Sequence, residues 1–217
     1  MGSELGKHDH QGRTLTASLY LVRHGAHGDL GRVLTGRGGS AGLTEIGRAQ
    51  AAAVAERLAR EDVRVVHTSP RLRAVETARI IADRLAVPVD VVDALDEIDF
   101  GAWSGRSFEA LAQDPAWHAW NARRGTARPP GGEAMAAAVA RAGRHVANIG
   151  ANGGGVVCVS HCDIIRGLIA DTLGLPLDNM LRFDVDTASL SILVAGEWGA
   201  RVLSVNEVAG FSERVAA

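Results

Sequence analysis

Residues 19–25 read LYLVRHG, an apolar run that ends on Arg23, His24 and Gly25, and this stretch decides the fold. The run is typical of a buried β-strand, so the imidazole and the guanidinium are expected at a strand end. A neutral imidazole is a nucleophile, and a neighbouring guanidinium attracts and orients a dianionic phosphate. The pair therefore suggests phosphoryl transfer, although a polar exit from the sheet is the simpler interpretation of the tripeptide alone.

The segments that follow alternate between strand and helix patterns. Apolar spacing and turn signals predict strands at residues 18–22, 63–67, 87–92 and 156–160, and helices after Thr44 and over residues 71–85, 134–149 and 163–173. Ser69 and Pro70 are expected to begin the second helix as its N-cap and first turn. Further strands are predicted at residues 182–185, 189–194 and 202–205, with a hairpin-like turn at 196–199.

This order predicts an α/β fold, a three-layer α/β/α sandwich with a mostly parallel central sheet. In such a fold, ligands bind beyond the carboxyl ends of the strands. Residues 1–17 are expected to be a flexible N-terminal tail, in which His8 and His10 are more simply mobile than metal-binding, and residues 18–217 a single domain. The tryptophan-rich segment 99–133 has no strand pattern and is interpreted as an inserted lid.

Composition and charge exclude several functional classes. The net charge is -2, so no polybasic surface for nucleic acid or acidic lipid is indicated. The sequence has no signal-peptide pattern and no run of about 18 apolar residues, and a cytoplasmic protein without a membrane partner is expected. Cys158 and Cys162, with His161 between them, supply too few ligands for a structural zinc site and are expected to be reduced thiols.

Two other strand-to-helix junctions carry groups that suit the same anion as His24. Arg73 lies in the first turn after the second strand, and His161 lies at the start of the helix after residues 156–160. Helix starts favour phosphate because their N–H groups are free and the dipole is positive there. Local pattern alone does not separate Arg73 from Arg71, and His161 could equally be a buried capping histidine.

Four segments in order along residues 19–206 resemble the histidine phosphatase superfamily, in its phosphoglycerate mutase-like branch. They are LVRHG at 21–25, TSPRLRAVETA at 68–78, EIDFGAWSG at 97–105 and VSH at 159–161. The resemblance implies a nucleophile that forms a phosphohistidine, three groups that bind the phosphoryl oxygens, and a proton donor. By the resemblance, the nucleophile is His24 and the proton donor is Glu97. The groups that bind the phosphoryl oxygens are Arg23, Arg73 and His161. The resemblance thus selects Arg73 over Arg71.

Two departures from the family's mutases favour a phosphatase, in which water resolves the phosphohistidine. Ala26 and His27 stand where those mutases carry Glu and Ser, and the interval from Glu97 to His161 is shorter. The implied function is the metal-independent hydrolysis of a phosphate monoester, with a small phosphorylated molecule as substrate. A phosphomutase and a non-catalytic phospholigand-binding module are the alternatives. The oligomeric state stays open.

Chemistry sets further expectations at this site. Attack requires one unprotonated nitrogen on His24, so the other is expected to donate to a backbone carbonyl near Gly25. Glu97 needs a raised pKa to carry a proton to the leaving group. Two guanidiniums and a second imidazole meet the phosphoryl charge, so no metal or cofactor is expected there.

Lower-ranked candidates come from the flanking loops. Arg32 and Arg37 could bind a second anionic group, although a solvated loop is slightly favoured for them. Glu133 is a second-rank acid that could equally be a first-turn helix carboxylate. His27 could contact substrate, although a solvated loop position is favoured for it, and Cys162 could lie near the site, although the role of a small apolar filler is favoured.

Overall fold

Six strands make up the central sheet of the computed structural model, which describes residues 16–209. They are β1 (Thr16–Arg23), β2 (Val63–Thr68), β3 (Val89–Val91), β4 (Gly154–Ser160), β5 (Leu190–Gly196) and β6 (Gly199–Glu207). The strand order is β3-β2-β4-β1-β5-β6. The pairs β2–β3, β2–β4 and β1–β4 are parallel, whereas β5 runs antiparallel to both β1 and β6. The sheet is therefore mixed. Strand β5 runs opposite to its neighbour β1, and the tight turn between β5 and β6 permits only antiparallel pairing of those two strands.

Helices cover both faces of this sheet. They are α1 (Glu45–Leu58), α2 (Leu72–Leu85), α3 (Phe108–Leu111), α4 (Pro115–Ala122), α5 (Met135–Asn152) and α6 (Cys162–Thr172). Alternate residues of β1 serve the two faces: Tyr20 and Val22 pack in the cluster with α1 and α2, and Leu19 and Leu21 in the cluster with α5 and α6. The α/β/α sandwich predicted from the sequence is confirmed. Within residues 16–209, no helix has the length and apolar character needed to cross a bilayer.

Two predicted elements differ from the structure. Residues 182–185 do not form a strand, because Leu177–Arg182 is a 3₁₀ helix and the Val185 carbonyl accepts a hydrogen bond from the Arg23 side chain at 2.7 Å. The second helix begins at Leu72 with Arg71 as N-cap, two residues later than predicted. Ser69 is therefore not the N-cap, although its hydroxyl accepts from the Arg71 N–H at 3.3 Å as well as contacting His161 at 2.7 Å.

Other boundaries are close to the prediction. Thr44 caps α1 through its side chain, which accepts from the Gly47 N–H at 3.0 Å. The third strand is shorter than expected, and β1 begins at Thr16, inside the predicted tail. The rest of that tail, with His8 and His10, lies outside the described residues.

The tryptophan-rich segment 99–133 carries α3 and α4 and is anchored by buried aromatic rings. Trp103 and Trp120 are buried, with their ring centroids 5.9 Å apart and edge to face. Phe100 packs on Trp120 in the same manner, at 5.5 Å. The segment therefore contributes to the core on the α5 side of the sheet. Movement of this segment as a lid stays a prediction.

Candidate active site

Side chains from three strand ends meet beyond the carboxyl edge of the sheet. His24 follows β1 and His161 follows β4, and their ring centroids lie 5.2 Å apart. Arg73, in the first turn of α2, donates from Nε to His24 Nε2 at 3.2 Å and from Nη2 to His161 Nδ1 at 3.1 Å. All three side chains are buried. They meet because β1, β4 and β2 are parallel neighbours, so their carboxyl ends share one edge.

The backbone after His24 turns tightly against α1. A Cβ atom at Gly25 would lie 2.5 Å from the carbonyl oxygen of Gly47, so only glycine fits this close approach. The Gly25 N–H donates to Thr77 Oγ1 at 3.0 Å, and the Thr77 hydroxyl donates to the Arg73 carbonyl at 2.8 Å. Thr77 therefore joins the loop that carries His24 to the helix that carries Arg73.

Hydrogen bonds fix the tautomer of His24. Its Nδ1 lies 2.9 Å from the Gly25 carbonyl oxygen, which can only accept, so Nδ1 carries the proton. Its Nε2 accepts from Arg73. Burial, followed by the charges of Arg73 and Arg23, holds the pKa of His24 well below its usual range. The ring is therefore neutral with a lone pair on Nε2, and the expected bond to a carbonyl near Gly25 is confirmed.

Arg23 contributes a second guanidinium. Its Nη1 donates to the Val185 carbonyl at 2.7 Å, while its buried Nε has no hydrogen-bond partner within residues 16–209. A buried N–H without a partner is costly, and an anion would satisfy it. The charge of Arg23 also helps to lower the pKa of both His24 and His161, which places it within electrostatic reach of the two rings.

A hydrogen-bonded chain orients His161 from behind. Because its Nδ1 accepts from Arg73, its Nε2 carries the proton and donates to Ser69 Oγ at 2.7 Å. Ser69 in turn donates to Asp96 Oδ1 at 3.3 Å, and Arg71 Nε lies 2.9 Å from the same oxygen. Sequence reasoning missed Ser69 and Asp96 as positioning residues. Arg71 pairs with Asp96, so Arg73 is the arginine that contacts the two imidazoles.

Glu97 lies beside His161 and is nearly buried. Its Oε1 accepts from the Ile98 N–H at 3.0 Å, and its Oε2 is 3.6 Å from His161 Nδ1. Burial, followed by the negative charge of Asp163, raises the pKa of Glu97 to about 7. A carboxyl group with that pKa can both give and take a proton near neutral pH.

Arg37 and Arg141 hold the backbone that carries Glu97. Both donate to the Glu97 carbonyl, at 2.8 and 2.9 Å, and both bind the Glu133 carboxylate. Arg37 is therefore not the solvated loop residue that its sequence context favours. Arg32 is exposed and donates to the Gly28 carbonyl. Ligand binding by Arg32, Arg37 or Glu133 stays a prediction, since their contacts in the structure are with the protein.

A buried arginine that the sequence does not single out connects the tryptophan-rich segment to the surroundings of Glu97. Arg124 is 6% exposed, its guanidinium lies 3.9 Å from the centre of the Trp120 ring, and its Nη1 is 2.8 Å from Asp163 Oδ1. Asp163 lies in the first turn of α6 and helps to raise the pKa of Glu97. Arg124 therefore positions a charge that acts on Glu97.

His27 is buried beside His24, and the favoured expectation that it is solvated is wrong. Its ring centroid is 5.2 Å from that of His24, and burial lowers its pKa to about 4. The loop folds inward because His27 forms an isolated antiparallel bridge with Leu43, next to the start of α1. Cys162 is partly buried, with its Sγ 3.6 Å from the Val185 carbonyl oxygen and its pKa raised by burial.

The arrangement has the chemistry of an anion site. Two guanidiniums, two neutral imidazoles and a carboxyl of raised pKa gather at this edge of the sheet, and such a set suits a tetrahedral dianion. A metal ion does not fit between His24 and His161, because the Arg73 guanidinium lies about equally close to the facing nitrogen of each ring, at 3.2 and 3.1 Å.

Comparison with known proteins gives consistent matches. The sequence model described as "Histidine phosphatase superfamily (branch 1)" matches residues 19–208. An acid phosphatase of Mycobacterium tuberculosis is 33% identical over 211 residues, which cover 92% of this chain and 96% of that protein. A bifunctional protein of the same organism is 39% identical over 180 residues, covering 80% of this chain and 49% of that protein. This chain thus spans about half the length of the first curated relatives it matches.

A solved structure described as "Mycobacterial hydrolase 2" has the same fold, with a TM-score of 0.81 at 28% identity, covering 92% of this chain and 94% of that one. Together these matches confirm the resemblance found in the sequence.

Proposed function

The chain belongs to the histidine phosphatase superfamily, branch 1, and on that premise we propose that it hydrolyses a phosphate monoester through a phosphohistidine formed on His24. The observation that carries the proposal is the position of Arg73, which bridges His24 Nε2 and His161 Nδ1 at 3.2 and 3.1 Å. A bound phosphoryl group would replace the two imidazole nitrogens as hydrogen-bond acceptors of Arg73. Its charged oxygens form stronger hydrogen bonds with a guanidinium than these neutral nitrogens do.

In the first step, the lone pair on His24 Nε2 attacks phosphorus in line with the ester oxygen. The P–O bond to the leaving group breaks as the P–N bond forms, and Glu97 gives its proton to the departing oxygen. Arg23 and Arg73 stabilise the remaining oxygens, and His161 joins them when its Nδ1, freed as Arg73 turns to the phosphoryl group, takes up a proton from solvent beside the dianion. The bond from Nδ1 to the Gly25 carbonyl stabilises the positive charge that develops on the His24 ring.

In the second step, water attacks phosphorus and the electrons of the P–N bond return to Nε2. The Glu97 carboxylate takes the proton from that water, so the acid is restored for the next cycle. A pKa of about 7 suits both directions of proton transfer.

Magnitudes explain why so many groups converge. A preorganised donor contributes ~10²–10³ in rate and a general acid ~10²–10⁴. Enzymes that hydrolyse phosphate monoesters reach rate enhancements of up to ~10²¹, which no single group supplies.

Because Arg23 and Arg73 supply the positive charge, the proposed reaction needs neither a metal nor another cofactor. The proposed substrate is a small phosphorylated molecule. Phosphatase names among the relatives favour hydrolysis over the phosphomutase alternative.

The test compares His24→Ala with His118→Ala, a substitution of an exposed histidine in α4. Purified His24→Ala protein is expected to lose hydrolysis of p-nitrophenyl phosphate, with or without chelator, whereas His118→Ala keeps the wild-type rate. Brief reaction with a ³²P-labelled monoester should label the wild type with an acid-labile, alkali-stable phosphoryl group. Near-normal turnover by His24→Ala would refute the proposal. Isomerised phosphoglycerate in place of free phosphate would favour the mutase, and phosphate binding without turnover a binding module.

A further inference from the structure

Three potential metal ligands meet on the side of the sheet that α5 covers, and none of them takes part in the proposed reaction. They are His67 in β2, Cys158 in β4 and His145 in α5, and their ligand atoms all lie within 4.8 Å of one another. His67 and Cys158 are register partners on adjacent strands, so their side chains stand next to each other. His145 reaches them from α5, with its Nε2 3.0 Å from His67 Nδ1.

We propose that His67, His145 and Cys158 bind one divalent ion of the Zn²⁺ type. Two imidazoles and one thiolate suit a borderline-soft ion such as Zn²⁺, whereas Mg²⁺ and Ca²⁺ prefer oxygen ligands. Three protein ligands leave the fourth tetrahedral position to water. His67 is partly exposed, with 16% of its side chain accessible, so the cluster has a route to solvent.

The spacing of the two nitrogen donors is close to what this ion requires, and the sulfur lies within 4.8 Å of both. Zn–N bonds of about 2.0–2.1 Å and Zn–S bonds of about 2.3 Å place tetrahedral ligand atoms roughly 3.3–3.6 Å apart. The two ring nitrogens are 3.0 Å apart, so they need to separate by only roughly 0.3 Å. In the free protein one proton must lie between these nitrogens; when the ion takes its place, that proton moves to the outer nitrogen of the ring that carried it, so both rings stay neutral.

A carboxylate lies on the far side of His67. Asp90 in β3 is the register partner of His67, and its Oδ2 is 3.9 Å from His67 Nε2. The negative charge of Asp90 acts on His67 through space and favours a proton on Nε2, which leaves the Nδ1 lone pair for the metal. The row of Asp90, His67 and Cys158 across three strands therefore presents one oriented imidazole beside one thiol.

The protonation states are compatible with metal binding. Burial lowers the pKa of both His67 and His145, so both rings are neutral ligands at neutral pH. Burial raises the pKa of the Cys158 thiol to about 12, so the thiol is protonated before the ion binds. On binding, the S–H bond breaks, the sulfur electron pair forms the metal bond and the proton leaves to solvent.

Sequence spacing concealed this cluster. In the sequence Cys158 lies close to Cys162 and His161, and these three residues supply too few ligands. In the structure His161 faces Arg73 and Ser69, while Cys158 lies beside His67 and His145.

The experiment uses the full chain carrying His8→Ala and His10→Ala, which removes the two histidines of the N-terminal segment as competing ligands. Zn²⁺ is titrated against a chromophoric chelator, and Co²⁺ serves as an absorbing probe of thiolate ligation. We expect one Zn²⁺ per chain and a sulfur-to-cobalt charge-transfer band, with no effect of equimolar Mg²⁺. Cys158→Ser and His145→Ala should each weaken Zn²⁺ binding by about tenfold or more, and Cys158→Ser should abolish the band. Asp90→Asn should weaken binding by less than the loss of a ligand does, because the carboxylate acts on His67 from 3.9 Å without a hydrogen bond.

Controls separate this cluster from other ligands. His24→Ala tests the histidine of the proposed reaction, Cys162→Ser tests the other thiol and His118→Ala tests an exposed ring. All three variants should keep the Zn²⁺ affinity of the parent protein and the cobalt band. Circular dichroism and thermal unfolding check that each variant is folded. If His145→Ala does not fold, Cys158→Ser alone tests the site. Binding of unchanged affinity in Cys158→Ser, or no Zn²⁺ retained by the parent protein against the chelator, would overturn the proposal. Both results are independent of whether the protein is a phosphatase.

Discussion

Replacing Glu97 by Gln should separate proton donation from phosphoryl binding. The amide oxygen can keep the hydrogen bond that Oε1 accepts from the Ile98 N–H at 3.0 Å, and the side chain keeps its size. The change therefore removes a proton and little else. For an alkyl phosphate, whose leaving group needs that proton, kcat should fall by ~10²–10⁴. For p-nitrophenyl phosphate the loss should be smaller, because the phenolate leaves without full protonation.

The pKa of Glu97 also sets the expected pH profile. With a pKa of about 7, about half of the group is protonated at pH 7 and about one-tenth at pH 8. Since the protonated form is active, kcat/KM for an alkyl phosphate should fall about tenfold per pH unit above pH 8. The acidic limb should not come from His24, whose pKa lies well below its usual range, but from the substrate, with a second pKa near 6.

The assay measures kcat/KM from pH 5 to 9 for both substrates, in wild type and Glu97→Gln, with phosphate inhibition as the measure of anion binding. We expect the alkaline limb to be absent from the variant and the inhibition constant to change little. An alkaline limb that persists in Glu97→Gln, or an equal loss of rate on both substrates, would refute the assignment of Glu97 as the acid.

Three further outcomes follow from the same structure. Asp163→Asn should lower the pKa of Glu97 and move the alkaline limb of kcat/KM to lower pH, since the Asp163 charge helps to raise it; an unmoved limb contradicts that coupling. His27 has a pKa of about 4 in the folded protein, so the unfolded chain binds more protons between pH 4 and 6.5 and stability falls as pH falls. Between pH 7.5 and pH 5, the free energy of unfolding measured with urea should therefore fall by about 2 kcal/mol less in His27→Asn than in the wild type. Trp120→Ala should lower the free energy of unfolding by about 3–5 kcal/mol, because the ring is fully buried and carries Arg124 on its face; a loss below about 1 kcal/mol would show that the tryptophan-rich segment is not anchored by it.

Local sequence signals were sufficient wherever the chain's own periodicity and chemistry act over a few residues. The alternation of apolar strands with helices predicts the sandwich, and parallel strands bring their carboxyl ends to one edge. Together with the family resemblance, this placed His24, Arg73 and His161 correctly, and the carbonyl of Gly25 as the partner of His24. The error at residues 182–185 arose because a short apolar pattern does not show which group will use the backbone carbonyls.

Tertiary packing alone decided the contacts that tune these groups. Ser69 lies 92 residues from His161 in the chain, yet the two side chains are 2.7 Å apart. His67, His145 and Cys158 similarly meet only because two strands pair in register and α5 crosses them. Hydrogen bonds and pKa values depend on separations of a few ångströms and on burial, and a one-dimensional pattern reports only which face a residue occupies. The sequence by itself therefore determined the sheet edge where the reactive groups gather, and the folded structure determined their protonation states and their partners.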